Sequence, residues 1–276
     1  MWRRLEPIHA VTYFAPASID ALKQSGLRGF WMCYFAARAA PMGAVAAPVV
    51  EATFYNFAPR LVRRAVPDAW SFADPTAVLA ARTAGAEAAL APHLDVLEPG
   101  ALATARGLLD TAVGELVCDG RSLAAANAAL DVPVDDAAAV WQHLTTLREH
   151  RGDGHLAALV VAGLSGLEAH LTLVGTGSIT REILQAARGF TDEEWEGAAS
   201  VLRDRGVLDG AGALTAEGRA IRQEVEDLTD RAAAAPWARL GDAGCDELAR
   251  LLVPLSRALS DGGVVPAINP IGVPRD

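Results

Sequence analysis

Residues 179 to 235 constrain the fold of this chain more than any other stretch, because several local signals follow one another there. Thr191-Asp-Glu-Glu194 is a capping box that starts one helix, and Thr215 is the N-cap of another. In chain order the stretch predicts a short helix (Ile179 to Arg188), a turn (Gly189), a second helix (Thr191 to Arg205), a two-stranded wing (Val207 to Leu214) and a long helix (Thr215 to Ala235). That order is typical of a winged-helix unit.

The rest of the chain is rich in alanine and has helical spacing that is broken by proline and glycine. We predict helices at Ser18 to Ser25, Phe54 to Val66 and Ala137 to Glu149. A loop follows at Glu149 to His155, and a central apolar helix at Leu156 to Thr172. Turn formers between Asp119 and Asp136 mark a domain boundary. The sequence therefore predicts a mainly α protein. A helical bundle lobe covers residues 1–118, and a central helix plus a winged-helix domain with a short two-stranded wing covers residues 137–276.

Two segments, one in each predicted domain, resemble each other. Glu51-Ala52 and Glu168-Ala169 each lie in a predicted helix, and each is followed by an acidic turn that ends in a tryptophan, Trp70 or Trp195. A duplication would make the N-terminal lobe a degenerate winged-helix repeat. Chance alignment of alanine-rich helices is the alternative.

Composition favours a globular protein of the cytoplasm. The chain has 276 residues, is 51% hydrophobic, and carries a formal charge of −10, which disfavours nonspecific binding to nucleic acid or to anionic membranes. Its three cysteines are far apart, as in a reducing compartment, and its N-terminus lacks the continuous apolar core of a signal peptide. Two apolar stretches, Phe30 to Val50 and Leu156 to Val174, contain charged residues, so we predict buried helices and no membrane.

The predicted winged helix resembles a known family of regulators. Within Ile179 to Leu255, the segment VLRDRGVLDGAGALTAEGRAIRQEVEDLTDRAA is similar to MarR-type proteins, most clearly in the LT-x-E-G that opens the helix after the wing. The whole chain, with RGFWMCYFAARAAPMG, EATFYNFAPRLV, LREHRGDGH and GLEAH, resembles a family of bacterial helix-turn-helix proteins. This resemblance implies the fold, and the MarR likeness implies a homodimeric, ligand-responsive regulator that binds DNA.

The charge of this region disfavours DNA as a partner. Gly175 to Leu240 contain eight arginines and no lysine against twelve acidic residues. The predicted recognition helix turns Asp192, Glu193 and Glu196 outward, where contact with bases and phosphates requires cationic or amide side chains. The wing DGAG also lacks the arginine that MarR-type regulators carry there. A small-molecule ligand is therefore the favoured partner.

The predicted loop from Glu149 to His155 contains the densest group of polar side chains. Asp153 can cap the following helix, and His155 then faces the apolar core with Asp153 or His150 as its orienting partner. A neutral imidazole there can act as a general base or as a ligand of a metal ion or haem. Simple helix capping is the competing interpretation.

Three residues of the predicted N-terminal lobe are further candidates for ligand binding. Arg38 lies in an apolar helix, and a buried guanidinium requires an anion: Glu51, Glu168, or the carboxylate or phosphate of a ligand. Tyr55 and Asn56 bring hydrogen-bonding groups into aromatic surroundings, as in many small-molecule sites. Aromatic packing is the alternative for both residues.

We therefore predict a small-molecule-binding protein of winged-helix ancestry, with a pocket in its helical core. Glu168 and His170 lie about 200° apart around a helix, so only one can face that pocket, and Glu168 is the harder to explain otherwise. If the protein is an enzyme, His155 is the base or the metal or haem ligand, and Glu168 is the second acid or base. The alternatives are a MarR-like regulator and a protein-interaction scaffold. The sequence assigns no reaction, since it contains no phosphate-binding loop or nucleophile elbow.

Overall fold

A computed structural model describes residues 1–273 of the chain, which are mainly helical. In chain order the α-helices are α1 (Trp2–Phe14), α2 (Pro16–Gln24), α3 (Gly29–Ala39), α4 (Ala47–Phe54), α5 (Pro59–Arg63), α6 (Ala69–Phe72), α7 (Pro75–Leu90), α8 (Ala101–Val113), α9 (Ser122–Ala128), α10 (Asp136–Val161), α11 (Gly166–Val174), α12 (Arg181–Arg188), α13 (Asp192–Asp204), α14 (Ala216–Ala233) and α15 (Ala235–Asp261). Short 3-10 turns lie at Ala40–Met42 and Ala91–Val96.

The helix starts that the sequence encodes locally are confirmed. Thr191 and Glu194 form the predicted capping box at the start of α13, and the Thr215 side chain accepts a hydrogen bond from the Gly218 amide at the start of α14. The apolar stripe of α13 is buried. The helix-turn-helix pair of the sequence prediction is therefore α12 and α13.

The predicted wing is much reduced. Leu208 and Leu214 form one isolated antiparallel bridge, and the part of the chain that the structure describes contains no named strand. The Asp209 carboxylate accepts hydrogen bonds from the amides of Ala211 and Ala213, so the turn is closed by a side chain. Two residues on each side of this turn are too few for a ladder to extend.

The predicted loop from Glu149 to His155 is wrong, because α10 runs through it as one helix of 26 residues. A Cβ atom added at Gly154 would lie 2.7 Å from Nη1 of Arg121 and 3.1 Å from Cβ of Ala232. The glycine therefore allows close packing against α10 and does not form a turn.

Two predicted helices are also broken where the sequence suggested continuity. The stretch from Leu156 to Thr172 divides between α10 and α11, because Ser165 starts α11 with its own capping box. The stretch from Phe54 to Val66 is interrupted after α4, where Tyr55 has a positive φ of 53°. Pro59 then fixes the start of α5.

Helix α10 lies at the centre of the molecule and packs against α1, α8, α9 and α14. The largest core joins it to α1, α7, α8 and α15 and includes the fully buried Trp141. A second core lies among α10, α11, α12, α13 and α14 and contains Trp195 and Leu202. Both predicted domains therefore pack against this one helix, including through α9, which lies inside the predicted boundary.

Sharp bends connect two pairs of apolar helices. The segment Gly29–Met42 meets α4 at 94°, and α10 meets α11 at 93°. Among residues 1–273 no single helix is long and apolar enough to span a membrane, whereas each bent pair reaches that length and composition when taken together.

Candidate functional site

A cavity of about 540 Å³ lies between the N-terminus of α1, the helices α10, α11 and α14, and residues 267–273. Two of these helices contribute a strip of side chains that share one face. On α10 the strip contains Arg148, Arg151 and His155, at spacings of three and four residues. On α14 the corresponding strip contains Arg222, Glu226 and Thr229.

Cationic side chains dominate the lining of this cavity. Four arginines of α10, α12 and α14 contribute to it, Arg148, Arg151, Arg188 and Arg222, and Arg3 of α1 is a fifth, against Glu226 as the carboxylate among its lining residues. The whole chain carries a formal charge of −10, so this concentration of arginines does not reflect its average composition. Clustered guanidinium groups in a concave site attract and orient anions.

Three of the four arginines have carboxylate partners. Arg148 Nη1 lies 2.9 Å from the Glu149 carboxylate, and Arg222 Nη2 lies 3.1 Å from the Glu226 carboxylate. Arg151 binds Asp230 at 2.8 Å and approaches Glu226 at 3.6 Å. These pairs hold the arginine side chains in place and compensate part of their charge.

Arg188, at the end of α12, differs from the other three. Arg188 is only 7% exposed. Within residues 1–273 no carboxylate lies within ion-pair distance of its guanidinium. Its Nη2 donates to the Pro270 carbonyl at 2.7 Å, its Nη1 donates to the Ala187 carbonyl at 3.3 Å, and its guanidinium carbon lies 4.7 Å from the centre of the Phe57 ring. Its Nε is buried with no acceptor. Burial lowers the pKa of this guanidinium.

Two histidines line the same cavity in their neutral form. Burial lowers the pKa of His155 to about 4 and that of His170 to about 3. His155 Nδ1 lies 2.9 Å from the Thr229 hydroxyl, and His170 Nε2 lies 2.9 Å from the Asn56 carbonyl. Asn56 contributes its side chain to the lining as well, and its Oδ1 is buried with no donor.

The structure brings two of the predicted site residues, Asn56 and His155, to this cavity. The other five have partners elsewhere and are not among its lining residues: Arg38, Tyr55, His150, Asp153 and Glu168. The predicted site residues are therefore spread over a larger region than the cavity itself.

Arg38 has a different anion from those expected. Its guanidinium binds Glu149 through both carboxylate oxygens, at 3.0 and 3.1 Å, whereas Glu51 pairs with Arg63. The sequence analysis placed Glu149 where a predicted helix meets a predicted loop, whereas it is a buried residue inside α10 and binds Arg38 from there. Tyr55 donates its hydroxyl to the Leu164 carbonyl at 2.6 Å.

Glu168 is occupied at the start of α11. Its carboxylate accepts from the Ser165 amide at 2.7 Å and approaches Arg205 at 3.4 Å. Of the two residues that could not both face one site, His170 is the one that lines the cavity. The choice of Glu168 was misled by the expectation that a charged side chain in an apolar helix must face the interior.

Asp153 is a cap, but of another helix than the one expected. Its Oδ2 accepts from the amides of Leu123 and Ala124, at 3.0 and 2.9 Å, at the first turn of α9. His150 Nε2 donates to the Val117 carbonyl at 3.2 Å, and burial lowers the pKa of this imidazole to about 4. Both residues therefore attach α10 to the segment around α9.

The sequence analysis missed the four arginines and His170. Arg148, Arg151 and His155 share one helical face, which is apparent only once α10 is continuous. Arg188 resembles an ordinary cation in the last turn of a helix, and no local signal shows that it is buried. Among the described residues, no group of three or more His, Cys, Asp or Glu side chains could hold a metal ion. Binding of metal or haem by His155 stays a prediction.

The outer face of the helix-turn-helix pair is acidic, and its cations are paired. Arg181 of α12 binds Asp192 at 2.9 Å and also contacts Glu196. Arg60 binds Glu194 at 2.7 Å. Asp192, Glu193, Glu194 and Glu196 are all exposed on α13. This face offers little free positive charge to a phosphate backbone.

Comparison with known proteins gives one match. A family model described as a helix-turn-helix family matches residues 1–266. No curated protein and no solved structure matches the chain. The match extends over α12, α13 and the helices that line the cavity, whereas the cavity wall formed by residues 267–273 lies outside it.

Proposed function

This chain belongs to the helix-turn-helix family, and we propose that it binds a small organic anion in the cavity between α10, α11, α14 and residues 267–273. The anion is held by the guanidinium groups of Arg148, Arg151, Arg188 and Arg222. A volume of about 540 Å³ is in the range of pockets that enclose ligands of metabolite or drug size, about 300 to 1,000 Å³.

The observation that carries this proposal is the uncompensated charge of Arg188. Removing a guanidinium from water is costly unless an anion accompanies it. Residues 1–273 offer Arg188 two backbone carbonyls and an aromatic ring but no carboxylate. An anion bound in the cavity that Arg188 lines supplies the missing charge.

Titration calorimetry with hexanoate tests this proposal. We expect hexanoate to bind the wild-type protein and to bind Arg188→Met at least about tenfold more weakly, because charge-assisted hydrogen bonds are lost. Arg64→Met is the matched control, since Arg64 is exposed and lies outside the cavity. Equal affinity of the wild type and Arg188→Met would contradict the proposal. A native mass above the denatured mass, present in the wild type and lost in Arg188→Met, would identify the natural ligand.

DNA binding is a second candidate, favoured by the family match and by the α12–α13 pair. If the protein is such a regulator, binding of the anion changes the distance between the two α13 helices of a homodimer. This is the mechanism expected of a MarR-like regulator. Retarded migration of the protein's own promoter DNA, with a steep loss of affinity as salt rises, is its expected result. Unchanged migration at low salt would exclude this candidate and leave anion binding intact.

Catalysis and a ligand-free scaffold receive less support. Glu168, the predicted second acid or base, is taken up by the capping box of α11. A scaffold without a ligand predicts a tightly packed interior, which a cavity of about 540 Å³ does not match.

A further inference from the structure

The two histidines of the cavity are held in defined tautomers by their neighbours. The Thr229 hydroxyl donates to the Val225 carbonyl at 2.6 Å, so its oxygen can only accept from His155 Nδ1. His170 Nε2 faces the Asn56 carbonyl, which can only accept, so that nitrogen carries the hydrogen. In a neutral imidazole the other nitrogen is then an acceptor.

These acceptor nitrogens have no donor in the protein. Within residues 1–273 neither His155 Nε2 nor His170 Nδ1 makes a hydrogen bond. Asn56 Oδ1 is a third acceptor without a partner, and it is buried. All three residues line the cavity that the arginines also line. A bound molecule therefore meets two kinds of group there, cationic donors and neutral acceptors.

We propose that the anion bound in this cavity carries hydroxyl groups, which donate to His155 Nε2 and His170 Nδ1 while the arginines bind its acidic group. Asn56 Oδ1 is too deeply buried for the ligand to reach. This inference rests on the proposed function and narrows its ligand to hydroxylated anions, such as sugar acids or sugar phosphates. An acceptor that receives no hydrogen bond in a buried site costs free energy, so a ligand without hydroxyl groups is discriminated against.

Two matched pairs of probes test the narrower proposal by calorimetry. Gluconate and hexanoate are six-carbon monocarboxylates, and they differ in the hydroxyl groups of gluconate. Glucose 6-phosphate and hexyl phosphate form a similar pair of phosphates. We expect the hydroxylated member of at least one pair to bind at least about tenfold more tightly. The pair that shows this preference identifies the acidic group.

Two conservative variants locate the preference. His155→Asn keeps a donor for Thr229, and His170→Gln keeps a donor for the Asn56 carbonyl, but each removes the free ring nitrogen. Both should lose the preference for hydroxyl groups, measured as the ratio of each variant's affinities for gluconate and for hexanoate. His143→Gln is the control, because His143 is buried against Asp110 outside the cavity.

The outcomes separate the two proposals. Equal affinities within both pairs would overturn the hydroxyl inference and leave anion binding in place, whereas no binding of any probe would overturn both. Nitrogen NMR of the histidine rings gives a readout that needs no ligand. It should show hydrogen on Nδ1 of His155 and on Nε2 of His170 at pH 7, and the opposite tautomers would also overturn the inference.

Discussion

Arg38 and Arg188 are two buried guanidinium groups that the structure treats differently. Each lies over an aromatic ring, Arg38 at 4.2 Å from the centre of Phe54 and Arg188 at 4.7 Å from that of Phe57. Arg38 binds both oxygens of Glu149, whereas Arg188 binds only backbone carbonyls among the described residues. The first charge is compensated by the fold, whereas the second is the one that the proposed anion would compensate.

The pKa values show the same contrast. Burial alone would raise the pKa of Glu149, but Arg148 and Arg38 together hold it at about 2. The carboxylate of Glu149 is therefore charged at every physiological pH, and it raises the pKa of Arg38 against the effect of burial. Burial lowers the pKa of Arg188, where no such carboxylate is present in residues 1–273. Arg82 is also buried without a carboxylate, but it donates to the side chains of Asn127 and Gln142 and is not among the lining residues of the cavity. The indicator of a ligand site is therefore a buried guanidinium that lacks a carboxylate and also lines a cavity.

Glu149→Gln should produce the largest effect. It leaves Arg38 and Arg148 buried without their shared carboxylate, and breaking such a pair costs about 3–5 kcal/mol of unfolding free energy. Glu51→Gln is the control, because its partner Arg63 is exposed and such pairs contribute about 1 kcal/mol or less. Denaturant unfolding measures both variants. Equal losses of unfolding free energy in the two variants would show that the buried Arg38–Glu149 pair stabilises the fold no more than the exposed Arg63–Glu51 pair.

Arg188→Met should change stability much less than Arg38→Met does. Methionine removes an unpaired buried charge and keeps much of the volume, so we expect the free energy of unfolding to stay within about 1 kcal/mol of the wild type. Arg38→Met leaves the Glu149 carboxylate with Arg148 alone and should cost more. The same denaturant titrations decide the point. A loss at Arg188 as large as that at Arg38 would mean that both arginines are structural.

The smallest expected effect is on the pH dependence of the unfolding free energy. This dependence differs between His170 in the cavity and Glu149 in the Arg38 ion pair. His170 has a folded pKa of about 3 against an ordinary value near 6.5, so the unfolded chain binds the extra proton and stability falls as pH drops below 6.5. We expect a fall of less than about 1 kcal/mol from this residue between pH 7 and pH 6. Glu149, with its lowered pKa, loses its contribution only below about pH 4.5. Denaturant unfolding at each pH should show a flatter acid slope between pH 7 and pH 5 for His170→Gln. An unchanged slope would contradict the assignment.

The parts of the fold that could be predicted from the sequence are those set by near neighbours. The capping box at Thr191 and the buried stripe of Trp195 and Leu202 depend on residues within one or two turns. The continuity of α10 was not predicted from near neighbours, and the residues that pack closely against Gly154, Arg121 and Ala232, are distant in the sequence. A glycine pair in a polar segment predicts a loop unless such distant contacts are known.

The candidate site was harder to predict for the same reason. Arg38 and Glu149 are separated by 111 positions, and Arg188 by 82 from Pro270. Only Asn56 and His155 were recognised, Asn56 from its aromatic surroundings and His155 from the polar segment that precedes an apolar stretch. The charge of the cavity arises mainly where α10, α12 and α14 of the second predicted domain meet, and no window of the sequence contains it.

The two segments of the predicted duplication share one geometric feature. Glu51 and Glu168 each lie in a short helix that follows a bend of nearly a right angle, 94° in the first half and 93° in the second. These helices also touch, since a Cβ atom at Gly166 would lie 2.2 Å from the Tyr55 carbonyl oxygen. A degenerate winged-helix repeat in residues 1–118 stays a prediction, and the second half alone keeps the capping box and wing remnant that it requires.

The walls of the cavity come from positions near opposite ends of the described chain. Trp2 and Arg3 line it together with residues 267–273, and the ring of Trp2 lies 4.9 Å from the guanidinium carbon of Arg151. Because residues 267–273 form one of its walls, the cavity is complete only after this segment has packed beside α10, α11 and α14.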